Sequence, residues 1–204
     1  MKADKNDKTQ YRYADTTPSY HPGLTPTVPG NFETEDYVFF WSGPFSNWDS
    51  GSFEMDIGYA TPANPVRLRT FKFNCSEQAM MVYKALTFND LETMNKIMET
   101  KSPRDQKALG RTVANFDQDV WEKKALSLFP DVLVAKFSQV PGYKKILLDT
   151  GDKTLVEASP FDAVWGIRMG VNHPDILNES KWQGKNLLGK CLMTAREIIR
   201  TEAE

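Results

Sequence analysis

Thr70-Phe-Lys-Phe-Asn-Cys-Ser-Glu-Gln-Ala-Met-Met-Val-Tyr-Lys-Ala-Leu-Thr-Phe88 reads as a short strand running straight into a helix. Asn74 is a candidate N-cap, and Glu77 follows three residues later, as a capping box requires. Glu77 and Lys84 are seven residues apart, close to two turns. Both side chains therefore project from one face, about 10 Å apart along the axis. Met80 and Met81 lie between them, at i+3 and i+4 from Glu77. An acid and an amine sharing a face with methionines form either a solvated edge or the floor of a pocket.

Upstream, Val66 to Phe73 alternates apolar and basic residues like a half-buried strand, with Arg67 and Arg69 on its wet face. Residues 57–65, with two prolines and a glycine, read as a loop. Tyr37-Val-Phe-Phe-Trp41 is an aromatic and β-branched run that reads as a buried strand, Trp41 included. Ser42 to Gly51 is rich in turn formers. Residues 1–36 are polar and carry Pro18, Pro22, Pro26 and Pro29, so this stretch reads as a flexible or extended arm before one domain spanning 37–204.

Downstream, Leu91, Met94, Ile97 and Met98 have helical spacing, and Pro103 opens a short helix that Gly110 ends. Asp117 to Leu128 is amphipathic, with Trp121 as a core residue, and Pro130 begins a further turn of helix. Tyr143 to Leu148 is a short apolar helix, Thr154 to Ala158 a small strand, and Asn186 to about Ala203 a long final helix. The class is α+β: one helix-dominated domain with a small β-sheet.

Composition narrows the function. The chain has 204 residues, 40% apolar and 25% charged, with a net charge of −2, enough for one domain with a real core. No basic excess points to general nucleic-acid binding. Two histidines, His21 and His173, make histidine-based metal or triad chemistry a poor fit. The two cysteines, Cys75 and Cys191, lack metal spacing, and a reduced pair in the cytoplasm is a simpler reading than one disulfide. No apolar run approaches the roughly 18 residues of a membrane span, and the first residues lack a signal-peptide core. The expectation is a cytoplasmic protein with no metal, no cofactor and no membrane.

Four stretches mix polar and aromatic residues as a core does not need. Phe45-Ser-Asn-Trp48 offers the amide of Asn47 and the flat face of Trp48. The helix at 77–84 offers Glu77, Gln78 and Lys84. Glu157 to Gly166 holds Glu157, Asp162 and Trp165. Gln183 to Gly189 brings glycines and a lysine to a helix N-terminus, which can hold a phosphate. Each has a plain structural reading as well. Glu77 can be only a cap, Lys84 a snorkelling lysine, Asp162 a turn residue, Trp165 a core ring and Asn186 an N-cap.

In order along the chain, however, these stretches form a pattern. They are Phe45-Ser-Asn-Trp48, Phe73 to Lys84, Leu109-Gly-Arg111, Trp121, Ala135-Lys-Phe137, Leu147 to Gly151, Leu155 to Ser159, Asp162 to Gly166 and Asn186-Leu-Leu-Gly189, with Leu192, Met193 and Arg196. The set, across roughly 38–200, resembles the NADAR family, the YbiA-like N-glycosidases. The arm and the 57–69 segment depart from it, the latter as a longer connection beside the site, and residues 167–170 differ in detail. The resemblance implies cleavage of a ribose C1–N bond. The implied substrate is a ribosylated small molecule, such as a phosphoribosylamino-pyrimidine of riboflavin synthesis, or ADP-ribose on a nucleobase, notably guanine in DNA or RNA. It implies Glu77 as acid/base, Lys84 as a Schiff-base nucleophile at C1 and Asp162 as a third catalytic residue. It also implies Asn47, Trp48, Gln78, Arg111, Glu157, Trp165, Gly166, Asn186 and Gly189 as substrate-binding residues. A non-catalytic module that binds ADP-ribose or a related nucleotide is the alternative.

Overall fold

The computed structural model describes residues 20–28, 30–61 and 64–202. The strands are β1 (Thr25–Pro26), β2 (Asn31–Glu33), β3 (Tyr37–Phe40), β4 (Phe53–Thr61), β5 (Asn64–Phe73) and β6 (Thr154–Glu157). The helices are α1 (Ser76–Thr87), α2 (Leu91–Glu99), α3 (Pro103–Gly110), α4 (Gln118–Gln139), α5 (Tyr143–Leu148) and α6 (Leu187–Thr201), with a 3-10 turn at Glu179–Lys181. This is the expected α+β architecture, with helices dominating.

The main sheet has the order β1-β2-β3-β6, antiparallel except for the parallel β3–β6 pair. The central strand β3, Tyr37-Val-Phe-Phe40, is apolar or aromatic at every position because it is covered on both faces. Successive side chains point to opposite sides. Val38, Phe40 and Leu155 therefore enter the large core with α1, α4 and α6, while Phe39 and Val156 pack with Ile167, Met169 and Ile176 behind the sheet.

Four expectations are corrected. Trp41 lies one residue past β3 and is 41% exposed, tilted against Phe161 with ring centroids 6.3 Å apart. Residues 57–65 do not form a loop. β4 and β5 pair antiparallel from Phe53↔Phe73 to Thr61↔Asn64, and the period-2 row Phe53, Met55, Ile57, Tyr59 is the strand signal that the turn formers masked. Pro130 does not start a helix but sits inside α4. It removes one backbone bond, and the carbonyl left over belongs to Leu126, an exposed residue that water can reach. Asn74 does not cap α1. Cys75 does, its Sγ accepting from the Gln78 N–H at 3.4 Å, while the Gln78 side chain accepts from the Asn74 N–H at 2.9 Å.

Of the arm, residues 1–19 and 29 lie outside the described residues. The described part supplies β1 and β2, and Leu24 is buried in the rear core. The turn between them needs Gly30: its φ is +89°, and a Cβ there would stand 2.7 Å from the Ser42 backbone. Cys75 and Cys191 are both buried and free. No helix of the described residues is long and apolar enough to cross a membrane.

Candidate active site

Four segments converge on a cavity of about 450 Å³. That lies within the roughly 300–1,000 Å³ typical of small-ligand sites. Its walls include Asn47 and Trp48 from the loop after β3, and Glu77, Met80, Met81 and Lys84 from α1. Arg111 follows α3, and Glu157, Asp162 and Trp165 come from the end of β6 and its following loop.

The α1 face forms the floor, as its spacing predicts. Gly110 allows the approach of α3, since a Cβ there would stand 1.9 Å from the Met81 Sδ. Glu77 is at the second position of the helix. Its backbone N–H donates to the Asn47 carbonyl at 2.9 Å, which ties the loop to the helix end. Its carboxyl is buried. Oε2 accepts from the indole N–H of Trp48 at 3.2 Å, and Oε1 has no hydrogen-bond partner among the described residues. Burial pushes its pKa up, against the downward pull of Lys107, of the Trp48 hydrogen bond and of Arg111. The site therefore holds a buried carboxyl with one oxygen uncommitted at the cavity.

Lys84 is half-buried, with its Nζ 3.8 Å from the centre of the Phe116 ring. Desolvation and the neighbouring Arg111 lower its pKa, and Glu77 opposes them. The shift favours the neutral, nucleophilic amine.

Glu157 is the second buried acid of the cavity. Burial first, then Asp162 and Glu77, push its carboxyl from the ordinary 4.5 up to about 8, with Lys107 opposing. Its Oε2 also lacks a hydrogen-bond partner among the described residues. The folded state thus holds a proton that the unfolded chain releases at lower pH. Stability from this group is present below about pH 4.5 and is lost as pH rises toward 8. Glu157→Gln is expected to flatten that decline, read as urea midpoints at about pH 5 and about pH 8.5. An unchanged slope would show that Glu157 ionises normally.

Asp162 divides its carboxylate. Oδ1 accepts from the N–H groups of Val164 and Trp165 at 2.9 and 2.8 Å, closing a turn, and Oδ2 faces Lys107 at 3.8 Å. Trp165 stands edge-on to Phe129 at 5.1 Å and shows part of its ring to the cavity. Trp121, expected in the core, is buried and also lines the cavity.

Four residues expected to bind substrate are not in the cavity wall, and each has a visible structural task. Gln78 donates to the Ile97 carbonyl at 3.0 Å, under α2. The Asn186 amide bridges β6, accepting from the Glu157 N–H at 3.0 Å and donating to the Leu155 carbonyl at 2.9 Å, so it makes no side-chain cap. Gly189 lets α6 touch β6, since a Cβ there would stand 2.0 Å from the Leu155 carbonyl oxygen. Gly166 bonds through its carbonyl to the Asn186 N–H, and a Cβ would stand 2.8 Å from that of Ser159. Asn186 and Gly189 therefore support the site by fixing Glu157.

Sequence reading missed Lys107, Phe116 and Glu122 in the wall, and Lys136 behind it. Lys136 is fully buried, and its ammonium donates to the carbonyls of Pro44 and Ser46 at 2.9 and 3.0 Å and lies 3.6 Å from Asp49. Tyr143 holds the same Asp49 carboxylate at 2.6 Å. This clamp sets the loop that presents Asn47 and Trp48. The Ala135-Lys-Phe137 motif was its visible trace.

Comparison with known proteins agrees with this architecture. The NADAR domain model matches residues 39–200. An N-glycosidase of Acanthamoeba polyphaga mimivirus is 40% identical over 173 residues, covering 81% of this chain and 97% of that protein. The chloroplastic riboflavin biosynthesis protein PYRR of Zea mays is 28% identical over 196 residues, covering 90% of this chain but 28% of that protein. The solution structure of Escherichia coli YbiA shares the fold with a TM-score of 0.60 at 24% identity, covering 86% of this chain and 92% of that one. With a family model that matches residues 39–200 and so spans the whole site, the chain belongs to the NADAR domain family.

Proposed function

We propose that the cavity is the active site of an N-glycosidase that cleaves the ribose C1–N bond of a ribosylated base, with ADP-ribosyl guanine the leading substrate. The observation that carries this reading is the pair of buried carboxyls, Glu77 and Glu157, each with an uncommitted oxygen and a pKa that burial pushes up, at a cavity floored by Lys84. Breaking a C1–N bond requires a proton on the leaving nitrogen and a partner for electron-poor C1. Glu77 supplies the proton and Lys84 the partner. Asn47 hydrogen-bonds the sugar or base, Trp48 and Trp165 stack on or enclose the base, and Asp162 with Lys107 borders the sugar. No step requires a metal or cofactor.

A phosphoribosylamino-pyrimidine is the second reading, supported by the similarity to the maize riboflavin protein. The test is to incubate the protein with ADP-ribosyl-guanosine DNA and with the phosphoribosylamino-pyrimidine, and to follow base release by chromatography. Release from the first supports the leading reading, and release from the second alone replaces it. Binding without release from either would make the domain a nucleotide reader.

A further inference from the structure

The loop between β3 and β4, residues 41–52, brings Asn47 and Trp48 to the cavity although it contains no helix or strand. Its fastening comes from the C-terminal half of α4. The Lys136 ammonium has three protons for three acceptors: the carbonyls of Pro44 and Ser46 at 2.9 and 3.0 Å, and the Asp49 carboxylate at 3.6 Å. Three residues on, the Gln139 amide accepts from the Glu54 N–H at 2.9 Å and donates to the Glu54 carbonyl at 2.8 Å. The loop passes this hold on to the site. The Ser46 hydroxyl accepts from the Trp48 backbone N–H at 3.2 Å, the Trp48 indole donates to Glu77, and the Asn47 carbonyl accepts from the Glu77 N–H. Lys136 therefore reaches Glu77 through the loop without lining the cavity itself. The charge is kept there at a cost. Burial drives its pKa from 10.5 down to about 8, with Asp49 and Cys75 opposing. Cys75 is also the cap of α1, a helix end that repels a cation. A methionine would fill a similar volume without that cost.

We propose that Lys136 is a positioning residue for the proton transfer: its ammonium fixes the turn at residues 44–49, so that Trp48 and Asn47 hold Glu77 in the geometry from which it protonates the leaving nitrogen. A side chain that only filled the core would need no donors, and here each proton orients a different part of one loop. Arginine's planar fork does not match three acceptors spread around a point charge. Among the described residues, the Trp48 indole is the one side-chain donor to the Glu77 carboxyl. The Trp48 ring is 45% exposed, so its aim depends on the loop beneath it more than on packing. This inference rests on the N-glycosidase reading of the cavity and adds to it a residue outside the wall.

The test reads position and turnover separately. In a nitrogen-labelled sample, magnetic resonance resolves the indole N–H groups, and Trp48→Phe identifies that of Trp48. With no substrate present, Lys136→Met is expected to move this resonance toward that of a solvated indole while the other tryptophans stay. The same variant is expected to lower kcat/KM for base release from ADP-ribosyl-guanosine roughly 100-fold, the scale of an ångström's displacement at the reacting centre. Combined with Trp48→Phe, the loss is expected to be no larger than in Lys136→Met alone, because the two residues act along one line. Asp49→Asn leaves both carbonyl bonds in place. It is expected to give a smaller loss of the same kind, and it carries the test if Lys136→Met does not fold. A Trp48 resonance at its wild-type position in the folded variant would overturn the inference, and so would losses that multiply in the double variant. A lysine that serves the fold alone would lower the urea midpoint and leave the resonance and kcat/KM of the folded protein unchanged. A displaced resonance in a protein whose wild type releases no base would keep the clamp on Glu77 and overturn the N-glycosidase reading on which its role rests.

Discussion

Glu77→Gln is expected to lower kcat/KM for base release at least roughly 100-fold, the ordinary scale of a general acid. The substitution isolates the proton. Glutamine has nearly the same volume, and its carbonyl oxygen can still accept from the Trp48 indole at the position of Oε2. The tie between the Glu77 N–H and the Asn47 carbonyl belongs to the backbone and survives. Stability should not fall, because burial already works against the charged carboxylate. The loss should sit in kcat, with KM little changed, because the proton is needed in the transition state and not for binding. The pH profile gives a second reading. The wild-type rate should decline on the alkaline side as the raised carboxyl releases its proton, and the residual rate of the variant should lack that limb. A variant with wild-type kcat would transfer the acid role to Glu157, the other buried carboxyl.

How much of this was visible in the sequence follows from the range of the interactions. Glu77, Met80, Met81 and Lys84 share a wall because helical periodicity is local, and the reading of residues 70–88 needed nothing beyond it. The bounds of α3 were equally legible, with Pro103 at its start and Gly110 at its end. Lys107 and Lys136 were not. Their roles depend on Asp162, Pro44, Ser46 and Asp49, each more than 50 residues away in the chain. Gln78, Gly166, Asn186 and Gly189 illustrate the opposite error. Family motifs gather residues that contact substrate together with residues that hold those contacts in place, and a motif string does not separate them. Asn186 forms the β6–α6 joint, which is as specific a task as touching a ligand. The β4–β5 hairpin was obscured by its own turn formers, though its alternating row of large side chains was present from Phe53 onward.

Lys84→Ala is expected to cost at least as much as Glu77→Gln, and to abolish a covalent adduct that borohydride traps in the wild type. The unprotonated amine attacks C1, and the C1–N bond to the base breaks as Glu77 gives its proton to the departing nitrogen. The sugar ring then opens: the amine loses a proton, the ring oxygen gains one, and an imine forms between Nζ and C1. Water adds to the imine, releasing the sugar as its aldehyde and restoring the lysine. Two features of the site bear on this in opposite directions. Desolvation and Arg111 favour the neutral amine that attacks, whereas the Phe116 ring beneath Nζ favours the ammonium. Phe116→Leu should therefore raise activity on the acid side of the profile if the fraction of neutral amine limits the rate. Lys84→Arg should not rescue, because a guanidinium retains the charge but cannot form the imine. Mass spectrometry after borohydride should show one sugar on the wild-type peptide that contains Lys84 and none on the variants. Full activity in Lys84→Ala would remove the covalent route. An active wild type with no trapped adduct would assign the attack on C1 to water, and Lys84 would then be a fixed charge beside the substrate's phosphate.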